Sequence, residues 1–139
     1  MDFKKLIKSD FISRDISWLH FNNRVFDQAK NTNRNILERL KFLSIVSSNF
    51  DEFFEVRVGS LYNYIDNNKK RFDYSGLREI PFKEFLLKKC RSFFKIKNSY
   101  FTKAILPILN KENIYLSSGK LINNKSQNKI KKYFKNTIF

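Results

Sequence analysis

Apolar residues recur every three or four positions along most of this chain, and no long window alternates apolar with polar as a strand would. The pattern predicts an all-α fold. Trp18, Phe21, Val25 and Ala29 share one face of a first helix over residues 17–29, with Ser17 placed to cap it. The stretch "KNTNRN" breaks that helix. Asn35 followed by Glu38 has capping-box spacing, so a second helix starts at Ile36. Leu40, Leu43, Phe50, Phe54, Leu61 and Ile65 carry it to about Asp66, roughly 45 Å at 1.5 Å per residue.

A polar region, "NNKKRFDYSGLREI", follows and reads as a turn, with Gly76 able to take positive φ. Pro81 suits the first turn of a third helix, whose apolar side is Phe82, Phe85, Leu86, Phe93, Tyr100, Phe101, Ile105 and Ile108. Pro107 is expected to kink or end it before about Asn110. After the irregular "NIYLSSGKLINN", Ser126 is placed to cap a last helix to about Thr137. Long amphipathic segments joined by short polar loops predict an antiparallel up-and-down bundle of about three main helices with a short C-terminal helix.

Composition refines this picture. The chain has 139 residues, the size of one domain, and its 16 Phe, 6 Tyr and 1 Trp can fill a core without disulfides. Cys90, the single cysteine, sits among Leu86, Leu87, Phe93 and Phe94, and reads as a buried structural thiol. The N-terminus lacks the apolar run and cleavage site of a signal peptide, and no 18-residue apolar stretch predicts a membrane span. A cytoplasmic location follows as the expectation. The formal charge of +15 favours polyanions, but the Lys, Asn, Ile and Phe bias also follows from AT-rich coding.

One stretch resists the amphipathic reading. In "LSIVSSNFDEFFEVRV", Ser47, Ser48 and Asn49 interrupt an apolar stripe, followed at once by Asp51 and Glu52. Asn49 lies at the border of the buried face, where it is either solvated or presents a donor and acceptor to a flat heterocycle such as adenine. Asp51, Glu52 and Glu55 are badly spaced for one metal ion and read as a solvated face. Arg57 has no carboxylate three or four positions away, leaving a snorkelling stem, a cross-helix ion pair or a phosphate contact. His20, the only histidine, lacks convergent partners for a triad or zinc site. No P-loop, GxGxxG or CxxC pattern is present, so residue chemistry alone reaches a basic bundle with a candidate small-ligand site.

The segments "FISRDISWLHFNNRVFDQA" and "ILERLKFLSIVSSNFDEFFEVRVGSL" resemble the N-terminal domain of bacterial phosphohistidine polyphosphate kinases. The family pattern reads approximately "NRELSWLxFNxRVLxEA" and "LLERLxFLxIxSSNLDEFFxVRVxxL". Phe50 stands for the usual Leu, and Asp15 for the usual Glu. Beyond Leu61 the likeness weakens, although "ILPILNKENIYL" and "IKKYFKNTIF" resemble the close of the family's third helix and the approach to its next domain.

The resemblance implies that residues 1–121 form the N-terminal helical domain and residues 122–139 begin the following one. It implies an enzyme of several domains that reversibly transfers the γ-phosphate of ATP to inorganic polyphosphate, with magnesium, through a phosphorylated histidine. The family's nucleotide-contacting Asn falls on Asn49, with Ser47 and Ser48 keeping the approach open. No catalytic residue and no metal ligand is carried over: the phosphohistidine and magnesium ligands belong to later regions, and His20 matches neither. The ending at Ile138 and Phe139, without Gly or polar tail, reads as cut. Because the resemblance puts the phosphohistidine, magnesium ligands and polyphosphate tunnel in later domains, this chain alone is expected to be inactive. Expected partners are ATP, polyphosphate through the missing domains, and further copies of the full-length enzyme, with no specific nucleic acid. Membrane association stays open for the full-length enzyme. The alternatives are a helical assembly module presenting Trp18, Phe21 and Phe53, or a basic bundle that binds polyanions.

Overall fold

The computed structural model describes residues 12–68, 79–116 and 122–138; the polar turn around Gly76, the N-terminal eleven residues and the middle of "NIYLSSGKLINN" lie outside them. Among the described residues every regular element is helical. The first, α1, is Arg14–Lys30. The second, α2, occupies residues 36–66 as Ile36–Glu52, a π-helical segment Phe53–Val58, and Gly59–Asp66. The third, α3, occupies residues 79–105, with Glu79–Tyr100 α-helical and Phe101–Ile105 π-helical. These helices belong to one compact unit of residues 1–105, and a second unit spans 106–139.

Cross-helix contacts fix the topology of the first unit. Along α1, Asp15, Asn22 and Ala29 meet Arg57, Asn49 and Arg39 of α2 in descending order, so the two helices are antiparallel. Lys83 lies over Tyr62, Phe94 against Phe50, and Tyr100 bonds Arg39, which makes α3 antiparallel to α2 as well. The result is an up-and-down three-helix bundle.

Start signals operate where the chemistry allows. Asn35 Oδ1 accepts from the Glu38 backbone N–H at 2.8 Å, the expected cap of α2. At α1 the expectation is corrected: the helix begins at Arg14 with Ser13 at its cap, while Ser17 is an exposed position inside the first turn. Its expected face holds in part: Ala29 is buried and Trp18 packs against Phe53, but the face is shifted away from Phe21. Leu19, Asn22, Phe26 and Ala29 face inward, whereas Phe21 is 46% exposed under the Arg24 guanidinium. The physical reason is Asn22, a polar residue placed on the core side because α2 offers it partners.

The core seam of α2 contains Leu43, Val46, Phe50, Phe53, Val58 and Leu61. Phe50 and Leu61 follow the expected stripe, but Phe53 and Val58 are five apart. The wider π turn shifts the helical phase there and brings both inward. Trp18 of α1 stacks on Phe53 with centroids 4.2 Å apart, so these two aromatics serve the interior rather than an assembly surface. Phe26, Phe50 and Phe93 join all three helices through ring contacts of 5.0–5.6 Å. Cys90 is buried on α3, and desolvation pushes its thiol up to about 11, which holds it protonated and inert at neutral pH.

In the second unit, α4 is Leu106–Lys111, which follows the π segment ending at Ile105 with no intervening residue, so Pro107 does not stand at a free helix start. Directly before it stands the π turn Phe101–Ile105, and the helix does not end at the proline. The last helix, α5, occupies residues 124–138, Asn124–Tyr133 being α-helical and Phe134–Ile138 π-helical. Its cap is Asn123, whose side chain accepts from the Ser126 backbone N–H at 2.9 Å; Ser126 is the capped residue rather than the cap. No helix among the described residues is long and apolar enough to cross a membrane.

The shifted face of α1 is open to test by urea denaturation. Phe26→Ala is expected to cost about 3–5 kcal/mol, as truncation of a buried Phe does, and Phe21→Ala well under about 1 kcal/mol. Equal losses would restore the face read from spacing.

Candidate functional site

The interrupting triplet divides between two helix interfaces. Successive residues on a helix point about 100° apart, so Ser47 turns toward α3 while Asn49 turns toward α1. Ser47 Oγ donates to the Leu43 carbonyl at 3.1 Å and accepts from Lys97 Nζ of α3 at 2.8 Å. Ser48, between them, is exposed.

Asn49 is half-buried, and its Nδ2 donates to Asn22 Oδ1 at 2.9 Å. Asn22, fully buried, donates through Nδ2 to the Val46 carbonyl at 3.3 Å. Each asparagine therefore has a defined partner, and burial of the Asn22 amide is compensated. Among the described residues Asn49 Oδ1 accepts no hydrogen bond, and one N–H of its amide also remains. Such an amide can offer one acceptor and one donor to a planar base. No signal in the sequence marked Asn22 as the partner; its position three after Leu19 and four before Phe26 could have placed it on the inner face.

Arg57 resolves as a cross-helix ion pair. Its Nε and Nη2 reach Asp15 Oδ1 at 2.9 and 2.8 Å, with the Asp15 side chain 10% exposed. Two donors on one oxygen at a largely buried site anchor the start of α1 to the π segment of α2. Arg39, which the sequence reading passed over, is a buried cation of another kind. Its Nε donates to the Ala29 carbonyl at 3.0 Å and its Nη2 to Tyr100 Oη at 2.6 Å, at the negative C-terminal end of α1.

Lys97 borders a cavity of about 230 Å³ between α2 and α3, which also has Leu43, Ser44, Asn98 and Phe101 in its wall. Desolvation lowers the Lys97 ammonium below its ordinary value, partly offset by Asp51. His20 is exposed beside a second hollow, of about 360 Å³, which includes Asn23, Lys89 and Ser92. Asn49 borders neither. Asp51, Glu52 and Glu55 are all exposed, and among the described residues no three His, Cys, Asp or Glu side chains gather as a metal would need.

Comparisons with known proteins identify the family. Residues 11–117 match the polyphosphate kinase N-terminal domain family. A polyphosphate kinase of Lactiplantibacillus plantarum is 33% identical over 132 residues, which is 95% of this chain and 18% of that protein. Another from Rhodopirellula baltica is 39% identical over 104 residues, 75% of this chain and 12% of that protein. Polyphosphate kinase 1 of Chlorobaculum tepidum is 32% identical over 130 residues, 93% of this chain and 19% of that protein. The chain thus spans under a fifth of the length of these curated relatives. No solved structure matches it significantly.

The desolvated Lys97 carries a pH prediction. Its pKa is lower folded than unfolded, so the cost of holding its charge is fully present below the folded value. That cost disappears as pH rises toward the ordinary 10.5. The stability of Lys97→Met relative to the parent chain should therefore fall as pH rises from 7 toward 10.5, measured by urea unfolding at each pH. A difference independent of pH would show that Lys97 is solvated alike in both states.

Proposed function

Because this chain belongs to the polyphosphate kinase N-terminal domain family, we propose that it is the adenine-contacting domain of a larger enzyme. That enzyme transfers the ATP γ-phosphate reversibly to inorganic polyphosphate. The observation that carries the proposal is the half-buried Asn49 amide, anchored through one N–H while its oxygen and second N–H have no partner among the described residues and could meet a base. Adenine presents a complementary donor and acceptor on its edge.

The chemistry of phosphoryl transfer lies outside this segment in this reading. Charge at a transferring phosphoryl group has to be met by positioned cations and metal ions. Here the acidic residues after Asn49 are exposed, Arg57 is committed to Asp15, and His20 borders a hollow whose lining does not include Asn49. The 139-residue chain alone is accordingly inactive, and polyphosphate, magnesium and the phosphorylated histidine engage other regions. The family match ending at residue 117 supports a domain boundary near 121, with residues 122–139 opening the next domain. A cytoplasmic enzyme assembled from several copies completes the reading.

Two measurements test it. In the full-length enzyme, Asn49→Ala should raise the KM for ATP about tenfold, the equivalent of about 1.4 kcal/mol for one lost hydrogen-bonding group. Its thermal midpoint should move far less than that of Phe50→Ala. An unchanged KM would make Asn49 merely the structural partner of Asn22. For the 139-residue chain itself, weak adenine-dependent binding without polyphosphate synthesis is expected, and synthesis would overturn the placement of the chemistry elsewhere.

A further inference from the structure

A backbone carbonyl can only accept a hydrogen bond, and this asymmetry propagates from Val46 to the surface. The Val46 carbonyl requires that the Asn22 group facing it be Nδ2. Asn22 Oδ1 is then the atom turned toward Asn49, and Asn49 must meet it with Nδ2. The amide of Asn49 is thereby held in one of its two orientations. From these contacts we infer that Asn22 is a positioning residue that sets base selectivity. By fixing which end of the Asn49 amide is oxygen, it makes the site accept adenine and reject guanine.

This inference rests on the reading of Asn49 as the adenine contact. Its chemistry is that of the two purines. Adenine carries an exocyclic amino donor where guanine carries a carbonyl acceptor. An Asn49 amide free to flip would offer its oxygen to the first or its amino group to the second with little preference. Anchored as observed, the amide keeps its oxygen toward an amino donor and meets the guanine carbonyl with an acceptor. Asn22 is 0% exposed and is bonded to the Asn49 amide, so its influence on a bound base passes through Asn49. Complete burial also keeps water from substituting for Asn22 Oδ1 and releasing the amide.

The test compares KM for ATP and GTP in the full-length enzyme for three variants, with thermal midpoints alongside. Asn22→Leu keeps approximate volume but removes the anchor; the preference for ATP should shrink about tenfold, the change falling on KM rather than kcat. In Asn22→Asp the buried carboxyl is driven toward its protonated form. Its O–H can donate to Val46 while the other oxygen accepts from Asn49, so the preference should persist although the thermal midpoint drops. A purely structural Asn22 would instead make the loss of preference follow the loss of stability. Asn49→Ala separates this inference from the reading beneath it. If Asn49→Ala raises the ATP KM and Asn22→Leu leaves the ATP preference intact, the positioning role fails and the adenine contact stands. If Asn49→Ala leaves KM unchanged, the adenine contact itself fails. Should Asn22→Leu not fold, loss of the preference in folded Asn22→Asp overturns the inference, and its retention supports it.

Discussion

The register of α1 against α2 depends on the requirement that buried polar groups find partners. An apolar seam of Leu, Val and Phe can slide by one helical turn, about 5.4 Å, and still bury comparable area. The three polar rungs cannot. Asp15 needs Arg57, Asn22 needs the Val46 carbonyl and Asn49, and Arg39 needs the Ala29 carbonyl. A slip breaks all three together and leaves charges and an amide uncompensated in the interior, a penalty of several kcal/mol. Hydrophobic burial supplies the drive to assemble, and the polar rungs select one alignment.

The π segment Phe53–Val58 is part of the same solution. A continuous α-helix would advance the inward face from Phe50 to Phe54 and Arg57, asking a guanidinium to occupy the seam. The wider turn instead brings Phe53 and Val58 inward and leaves Arg57 at the edge, where its stem packs and its head reaches Asp15. Trp18 closes over Phe53 at this point. The irregular turn thus reconciles an aromatic core with a charged tether about two turns from Asn49.

Much of the fold was legible in the sequence because helical spacing and caps are local signals. Asn35 with Glu38, and the stripe through Leu43, Phe50 and Leu61, needed no tertiary information. The face of α1 was misread in part because Asn22 looked polar, and only the carbonyl of Val46 and the amide of Asn49 on another helix make it an interior residue. The π turn was invisible for a related reason: its phase shift is imposed by packing on Trp18 and by the Arg57 tether. Asn49 drew notice as an interruption of the stripe, but nothing in the sequence could say that one of its N–H groups was already committed. Ser126 was mistaken for a cap because Asn123, three positions earlier, uses the same chemistry.

The end of α1 is closed from outside. The Ala29 carbonyl receives Arg39 Nε from α2 and Tyr100 Oη from α3, at 3.0 and 2.9 Å, and Arg39 and Tyr100 are bonded to each other. Terminal carbonyls ordinarily face water and let a helix end fray on its own. Here unwinding the last turn of α1 strips hydrogen bonds from two other helices at once, so that terminus opens only when the whole bundle does. What would be the loosest point of an isolated helix becomes a joint of the cooperative unit.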